Sequence, residues 1–281
     1  MKLLRYGDRG RERPGRLDDE GVLRDLSDHV NDIDGGTLGD DTLSRLQAID
    51  PTSLPVVSGS PRLGPPVGAV GKFVCIGLNY SDHAKETGNP IPVEPIVFMK
   101  ATSAINGPYD DIIIPRRSTK TDWEVELGVV IGREARYVSQ ADALSHVAGF
   151  CTVHDVSERY FQLETGGNWT KGKSCDTFGP FGPWLVTRDE VPDPQDLSLW
   201  LDVDGHRYQN GTTATMIFGV DFVIHYLSQI MSLQPGDLIA TGTPPGVGMG
   251  LDPQTYLKAG QRVQLGVEGL GDQDAVTVDA T

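Results

Sequence analysis

Three carboxylates alternate along one short segment of the sequence, at Asp122, Glu124 and Glu126. The apolar run that continues to Ile131 predicts a buried β-strand, whose alternate side chains share one face. Carboxylates buried together without partners would repel, and oxygen ligands suit a hard divalent cation such as Mg²⁺ or Mn²⁺. The segment alone leaves a solvated acidic face on an edge strand as an equal alternative.

A second group follows a predicted strand that ends at Asp155. Arg159 and Gln162 lie four and seven residues later, so a helical turn would place all three side chains on one side. The end of a buried strand is a common position for a ligand. The alternatives are that Asp155 caps a helix and that Arg159 is its exposed partner.

Lys171 and Lys173 are separated by one glycine, in a segment flanked by Trp169, Cys175 and Phe178. Lysines are usually exposed, and a surface loop is the ordinary interpretation. The aromatic flanks favour partial burial instead. A buried lysine beside carboxylates would stay charged and could stabilise negative charge that develops in a substrate.

His83 and Glu86 lie three residues apart on a predicted helix, so the ring and the carboxylate can meet. A carboxylate that orients a histidine makes it a better general base, although an ordinary surface pair has the same spacing. The glycine-rich segment 241–250 could bind a carboxylate or phosphate through backbone N–H groups. It lacks the lysine of a P-loop, and a rigid turn is the alternative.

Short strands must position these groups. Strands are predicted at 73–77, 96–100, 111–115, 151–155 and 199–204. One clear amphipathic helix spans 217–231 and is stopped by Pro235-Gly236. Many strands, few helices and 34 glycines for turns predict a mixed, β-rich α+β fold rather than alternating βαβ units.

The first 66 residues differ in character from the rest of the chain. They are rich in aspartate, arginine and glycine, and too polar to bury a large core alone. Prolines mark a linker at the end of this part, at positions Pro51, Pro55, Pro61, Pro65 and Pro66. We therefore predict a small N-terminal domain at 1–66, packed on a larger domain at 67–281 that carries the candidate chemistry.

The net charge of −15 and the isoelectric point near 4.7 argue against nucleic acid or an anionic membrane as a partner. No apolar segment has the length of a membrane span or the pattern of a secretory signal. The three cysteines are far apart and predict free thiols in a reducing compartment, the cytoplasm. An anionic substrate would need a local cation, which agrees with a metal site.

Together these motifs resemble the fumarylacetoacetate hydrolase family over roughly residues 70–270. The resemblance is carried by Gly77-Leu78-Asn79-Tyr80 with His83 and Glu86, Phe98-Met99-Lys100, 122–128, 155–162, 169–177 and Thr241-Gly242-Thr243. It implies a β-roll catalytic domain with a smaller N-terminal domain, a homodimer, and a bound Mg²⁺ or Mn²⁺ ion.

The resemblance also implies roles for individual residues. The metal ligands match Glu124, Glu126 and Asp155, with Asp122 as an acidic neighbour that does not bind the metal. The general-base dyad matches His83 with Glu86, and two further catalytic residues match Lys173 and Gln162. The substrate-contacting residues match Arg159, Thr243, Tyr80 and Lys100.

The implied reaction is hydrolysis of a carbon–carbon bond in a 2,4-diketo acid, a small anionic 2-oxo acid. The chain most resembles bacterial enzymes that cleave 2,4-diketo-3-deoxy-L-rhamnonate or -fuconate to pyruvate and lactate. Acylpyruvate hydrolysis and oxaloacetate decarboxylation are alternatives, with ureidoglycolate lyase and dienoic diacid isomerase further away. A binding module with a structural Ca²⁺ is the alternative that is not an enzyme, and it has no need for His83, Arg159 or Lys173.

Overall fold

A computed structural model describes residues 1–86 and 90–281, and the described part is rich in β-strands, as predicted. The strands are β1 Lys2–Tyr6, β2 Arg13–Leu17, β3 Leu23–Asp25, β4 Leu63–Gly64, β5 Phe73–Gly77, β6 Ile96–Lys100, β7 Ile105–Asn106, β8 Ile112–Ile114, β9 Thr121–Asp122, β10 Val125–Ile131, β11 Val147–His154, β12 Ser157–Glu158, β13 Gly179–Pro180, β14 Leu185–Thr187, β15 Ser198–Val203, β16 His206–Thr212, β17 Leu238–Ala240, β18 Arg262–Val267 and β19 Gly271–Asp279. The helices are α1 Asp40–Gln47, α2 Ser81–Glu86, α3 Trp169–Lys173 and α4 Val220–Ile230, with a π-helical turn at Tyr160–Glu164. No described helix has the length and apolar character needed to cross a membrane.

The larger sheet has ten strands in the order β3-β2-β1-β14-β11-β10-β17-β5-β6, with β4 paired to β1. Its pairs are antiparallel except β17 with β5, where Ile239 lies opposite Val74. Strand β10 lies between β11 and β17, in the middle of this sheet. The acidic segment is therefore buried, and the edge-strand alternative is wrong.

The second sheet has the order β16-β15-β18-β19-β8 and contributes to the core that β10 shares with α4. Val125, Leu127 and Val129 of β10 belong to this core. Because strand side chains alternate, Glu126 points to the opposite face, where Val130 joins a second core. The alternation thus separates an apolar face of β10 from a face that carries a carboxylate.

The N-terminal strands continue the larger sheet, because Leu3 of β1 lies opposite Leu185 of β14. The second core joins Leu3 and Ile33 to Phe73 and Val130. The N-terminal part therefore shares both a sheet and a core with the rest of the chain. A domain boundary at residue 66 stays a prediction.

Two local predictions near the acidic segment are wrong. The predicted single strand is broken after Asp122, because β9 pairs with β12 whereas β10 pairs with β11. After Asp155 the chain forms the short strand β12 before the π-helical turn begins, so no helical turn follows directly. Asp155 does not cap a helix. By contrast, β5 and β6 have the predicted bounds.

Candidate active site

Glu124, Glu126 and Asp155 form a buried carboxylate cluster, in which one oxygen of each lies within 4.8 Å of the others. Glu124 directly precedes β10, Glu126 lies in β10, and Asp155 directly follows the neighbouring strand β11. The Asp155 N–H donates to the Glu124 carbonyl at 3.0 Å, which joins the two strand ends. The structure therefore brings the three predicted ligands together, and Asp122 is outside the cluster.

Cationic side chains neutralise part of this charge. The Lys173 ammonium donates to Glu124 at 2.8 Å and to Asp155 at 2.6 Å, and Arg159 pairs with Glu124 at 2.6 Å. Burial alone would raise the pKa of Glu124, but the charges of Lys173 and Arg159 hold it well below its usual range. Burial lowers the pKa of Lys173, whereas Asp155 and Glu124 raise it, and the net shift is upward. Lys173 stays charged.

Glu126 differs from its neighbours, since no ammonium or guanidinium of the described residues pairs with it. It accepts the Gly242 N–H at 2.8 Å. Burial, followed by the charges of Asp155 and Glu124, raises the pKa of Glu126 well above its usual range. A divalent cation would offset that repulsion, and three carboxylates are the oxygen donors that Mg²⁺ and Mn²⁺ prefer. The residues present fit such an ion.

The predicted dyad of His83 and Glu86 is in contact within α2. His83 Nδ1 lies 2.9 Å from Glu86 Oε2, and His83 lines the same cavity as the carboxylate cluster. Glu86 Oε1 also accepts the Gly246 N–H at 2.9 Å. If Nδ1 donates to Glu86, the proton-accepting lone pair of the ring is on Nε2.

The cavity between these groups has a volume of about 260 Å³. Its polar lining residues are His83, Glu124, Glu126, Arg159, Gln162, Lys173 and Thr243. Its apolar lining residues are Ile76, Leu78, Phe98, Leu163, Trp169 and Met249. The Phe98 and Trp169 rings meet edge to face at 5.3 Å, and the Lys173 ammonium lies 5.1 Å from the Phe98 ring centre. The cavity therefore combines charged side chains with aromatic and aliphatic ones.

Arg159, Gln162 and Lys173 lie on the cavity wall, as their predicted roles require. Arg159 is only 4% exposed, so the alternative of an exposed partner to Asp155 is wrong. Lys173 is buried while Lys171 is exposed, which rules out a simple surface loop for both lysines. Thr243 also lines the cavity, although its hydroxyl donates to the Val125 carbonyl at 2.9 Å.

Lys100 and Tyr80 are not among the residues that line the cavity, and their substrate contacts stay predictions. Lys100 donates to the carbonyls of Val156 at 3.0 Å and Lys173 at 2.7 Å, and it pairs with Asp155. Its three donors are therefore used within the protein, and Lys100 supports Asp155 from behind. Tyr80 is fully buried, and burial, then the charge of Glu126, raises the pKa of its hydroxyl well above the usual range.

The glycine-rich segment binds carboxylates, but they are those of the protein itself. Amides of the site loop, residues 242–249, donate to Glu126 from Gly242, to Glu86 from Gly246, and to Asp122 from Gly248 and Met249. N–H donation was predictable here, since glycine-rich backbone favours it. Its partners were not predictable, and sequence reasoning did not assign Leu78, Leu163 and Met249 to the cavity lining.

The chain is similar to known proteins along its whole length. The model of the fumarylacetoacetate (FAA) hydrolase C-terminal family matches residues 72–278. A Burkholderia lata protein, named provisionally as a hydrolase, is 65% identical over 281 residues, 100% of each chain. Fumarylacetoacetate hydrolase from psychrophilic Exiguobacterium antarcticum is 33% identical over 100% of both chains, with a TM-score of 0.88.

A further solved structure, maleylpyruvate hydrolase from Sphingobium sp. SYK-6, is in complex with a manganese(II) ion and pyruvate. It is 26% identical over 100% of both chains, with a TM-score of 0.83. The family match, the 65% identity to a full-length relative and the shared fold all agree with the motifs found in the sequence. This chain belongs to the fumarylacetoacetate hydrolase family.

Proposed function

We propose that this protein is a metal-dependent hydrolase that cleaves a carbon–carbon bond in a 2,4-diketo acid, with pyruvate as one product. The observation that carries the proposal is one cavity with two kinds of groups. It joins an incompletely neutralised carboxylate cluster to the His83–Glu86 pair and the Lys173 ammonium. A structural cation site has no use for a histidine, paired with a glutamate, on the same cavity wall.

Glu124, Glu126 and Asp155 would hold the ion. A bound Mg²⁺ or Mn²⁺ would supply Lewis-acid polarisation of the carboxylate and 2-oxo oxygens of the substrate. Arg159 and Thr243 line the same cavity and would orient the substrate carboxylate. With Asp122 and Lys100 included, the described cluster contains three cationic side chains and four carboxylates. When all are ionised its net charge is −1, so a bound dication would leave a net charge of +1 that attracts an anionic substrate.

His83 would act as the general base. With Nδ1 directed at Glu86, Nε2 accepts a proton from water, and that water attacks the 4-oxo carbon. The Lys173 ammonium would stabilise the oxyanion formed there. Gln162 would assist, because its Oε1 accepts from Arg159 at 3.1 Å and its amide nitrogen still carries donors.

Cleavage then follows from the collapse of that oxyanion. The carbonyl of the second acid re-forms, and the bond between C3 and C4 breaks with its electron pair on the pyruvyl fragment. The proton taken up by His83 can be returned to C3, which gives pyruvate. One water is consumed for each bond cleaved, and the base is regenerated.

The finer substrate assignment is a 2,4-diketo-3-deoxy-rhamnonate or -fuconate, with lactate as the second product. The apolar lining residues support a second candidate, an acylpyruvate with an apolar acyl group. Phe98, Trp169 and Leu163 offer no partners to the hydroxyl groups of a sugar chain. An acyl group that lies against these side chains would gain no hydrogen bonds from its hydroxyl groups.

Pyruvate release from four substrates tests the proposal: a diketo-deoxy sugar acid, acetylpyruvate, an acylpyruvate with a longer apolar chain, and oxaloacetate. We expect metal-dependent turnover of at least one diketo acid, abolished by a chelator and restored by Mg²⁺ or Mn²⁺. Turnover of oxaloacetate alone would replace hydrolysis with decarboxylation. A 2-oxo-dienoic diacid in parallel detects isomerisation, and ureidoglycolate detects the lyase. The homodimer and the cytoplasmic location stay predictions.

A further inference from the structure

Asp122, the acidic neighbour outside the metal cluster, is fully buried and saturated with donors. Its Oδ1 accepts the N–H groups of Trp123 at 2.8 Å and Gly248 at 2.6 Å. Its Oδ2 accepts the Met249 N–H at 3.0 Å and Arg159 Nε at 2.8 Å. Four donors on two oxygens fill the acceptor capacity of a carboxylate, so this side chain has one defined orientation.

On one side, Asp122 fixes the guanidinium of Arg159. With Nε bound to Asp122, Nη1 donates to Gln162 Oε1 at 3.1 Å, and Nη2 lies 2.6 Å from Glu124 Oε1 as an ion pair. A planar guanidinium has a rigid fork geometry, so an anchor at Nε sets the direction of the other two nitrogens. Asp122 is thereby linked to one carboxylate of the metal cluster and to one oxyanion donor.

On the other side, Asp122 fixes the site loop. The amides of Gly248 and Met249 are bound to it, and Gly246, two residues earlier, donates to Glu86 at 2.9 Å. Gly246 has φ +104°, and a Cβ there would lie 1.9 Å from the Tyr208 carbonyl oxygen. The loop therefore has little freedom to shift, and a fixed Gly246 amide means a fixed Glu86 acceptor.

We propose that Asp122 is a positioning residue that couples the two halves of the reaction site. Through Arg159 it holds Glu124 and Gln162, and through the site loop it holds Glu86 and hence His83. Asp122 is not among the residues that line the cavity, and its described hydrogen bonds do not reach the carboxylates of Glu124, Glu126 or Asp155. It therefore acts only through these partners. The activity part of this inference rests on the proposed function; the structural part does not.

Asp122→Asn is the direct test, because an amide has one acceptor oxygen where the carboxylate has two. At least two of the four donors then face an N–H group instead of an acceptor. We expect kcat/KM for the diketo acid to fall by about tenfold to a hundredfold, the range for outer partners of catalytic groups. Amide hydrogen exchange should accelerate in residues 246–249 and in α2, but not in β15 or β18.

Double variants separate positioning from general destabilisation. If Asp122 acts through Glu86 and Arg159, Asp122→Asn should cost much less in a Glu86→Gln or an Arg159→Lys background than in the wild type. If the fold reductions in kcat/KM of the two single variants multiply in either double variant, the coupling is overturned. Unchanged kcat/KM in Asp122→Asn, with the wild type active, would overturn the role itself.

Asp18→Asn is the matched control. Asp18 accepts two backbone amides, from Glu20 at 3.1 Å and Val22 at 2.8 Å, and Arg24 Nε at 2.8 Å, far from the cavity. It should lower thermal stability and leave kcat/KM unchanged. If Asp18→Asn lowers kcat/KM as much as Asp122→Asn does, the effect of Asp122→Asn is explained by lost stability and the inference is overturned.

Exchange in the wild-type protein decides the question even if Asp122→Asn does not fold or if no diketo acid is cleaved. Gly248 and Met249 amides bound to a buried carboxylate should exchange as slowly as those of β10. Fast exchange at both amides would overturn the inference, whereas absent turnover with slow exchange would count against the proposed function alone.

Discussion

Arginine–carboxylate contacts occur both in the N-terminal region and at the centre of the molecule, but the two regions balance charge differently. In the N-terminal region, Arg5 binds Asp32 at 2.6 Å and Arg24 binds Asp18 at 2.7 Å. Arg5 and Arg24 each have a carboxylate partner, and both arginines are partly exposed. Such pairs close turns and hold segments together, and they add little charge of either sign.

At the centre, Asp155 contacts two ammonium groups while Glu126 contacts none among the described residues. The carboxylates are buried in the middle of a sheet, where an unpaired charge is costly. Salt bridges with matched partners therefore indicate structural contacts, whereas a buried excess of carboxylates indicates a site for a cation. Variants in both regions and a metal titration test this distinction.

Glu126→Gln should have the largest effect. It removes a proposed metal ligand but leaves no cation unpaired, and the amide oxygen can still accept from Gly242. We expect kcat/KM to fall about a thousandfold or more, from lost Lewis-acid stabilisation. Stability without metal should stay equal or rise, because a buried unpaired carboxylate is gone. Pyruvate release and urea denaturation with a chelator present measure both effects.

Asp32→Asn is the counterpart of that variant in the N-terminal region. It removes the closer of the two carboxylates that contact Arg5, because Glu12 at 3.6 Å remains, and it should lower stability while turnover is unchanged. If both variants change stability in the same direction, the contrast between the two regions fails.

Lys173→Ala and His83→Ala should each reduce turnover by about a hundredfold, the cost of losing one charge-stabilising donor or a general base. Circular dichroism should show that both variants fold when Mn²⁺ is present. Near-normal turnover in His83→Ala would remove the assigned base. Lys171→Ala is the matched control on the exposed face of α3, and it should leave turnover unchanged.

Mn²⁺ should raise the melting temperature of the wild type and leave that of Glu126→Gln nearly unchanged. At one hundred times the dissociation constant, binding to the folded state contributes about 2.7 kcal/mol. For a chain of this size that corresponds to roughly 5 °C. Differential scanning calorimetry with and without a chelator measures the shift. Equal shifts in both proteins would place the ion elsewhere.

Arg62→Gln should have the smallest effect. Arg62 binds Asp110 at 2.8 Å and Glu12 at 2.9 Å at a partly exposed position. Loss of both contacts should lower the free energy of unfolding by about 1–2 kcal/mol and leave kcat/KM within about twofold. Urea denaturation and the pyruvate assay test this. A large loss of turnover would show that this network also serves the site.

Much of the site was predictable from short patterns. The two-residue spacing of Glu124 and Glu126 fixes their common face, and the three-residue spacing of His83 and Glu86 allows their contact. Strands β5 and β6 were predictable because each is a short apolar run between turn residues. These features depend on local geometry, because the spacing of residues along a strand or helix determines which side chains share a face.

The remaining features depend on partners that are distant in the sequence. Before the break at Trp123, Asp122 binds Arg159, 37 residues later, and the amides of the site loop. Lys100 carries the same charge whether it meets a substrate or Asp155, so its motif alone could not place it behind the cluster. Hydrophobic periodicity records which face of an element is buried, but it does not record which residue lies opposite.

The parallel pairing of β17 with β5 also has a consequence for biosynthesis. Glu126 receives its backbone donor from Gly242, 116 residues later, and the Lys72 N–H is bound by Asp237, 165 residues later. A nascent chain that has emerged only to the end of α4 already contains all the candidate ligands but lacks β17, which separates β10 from β5. Contacts of such long range form late in folding. We therefore expect the nascent chain to bind the metal only after residues 238–242 have left the ribosome and joined the sheet.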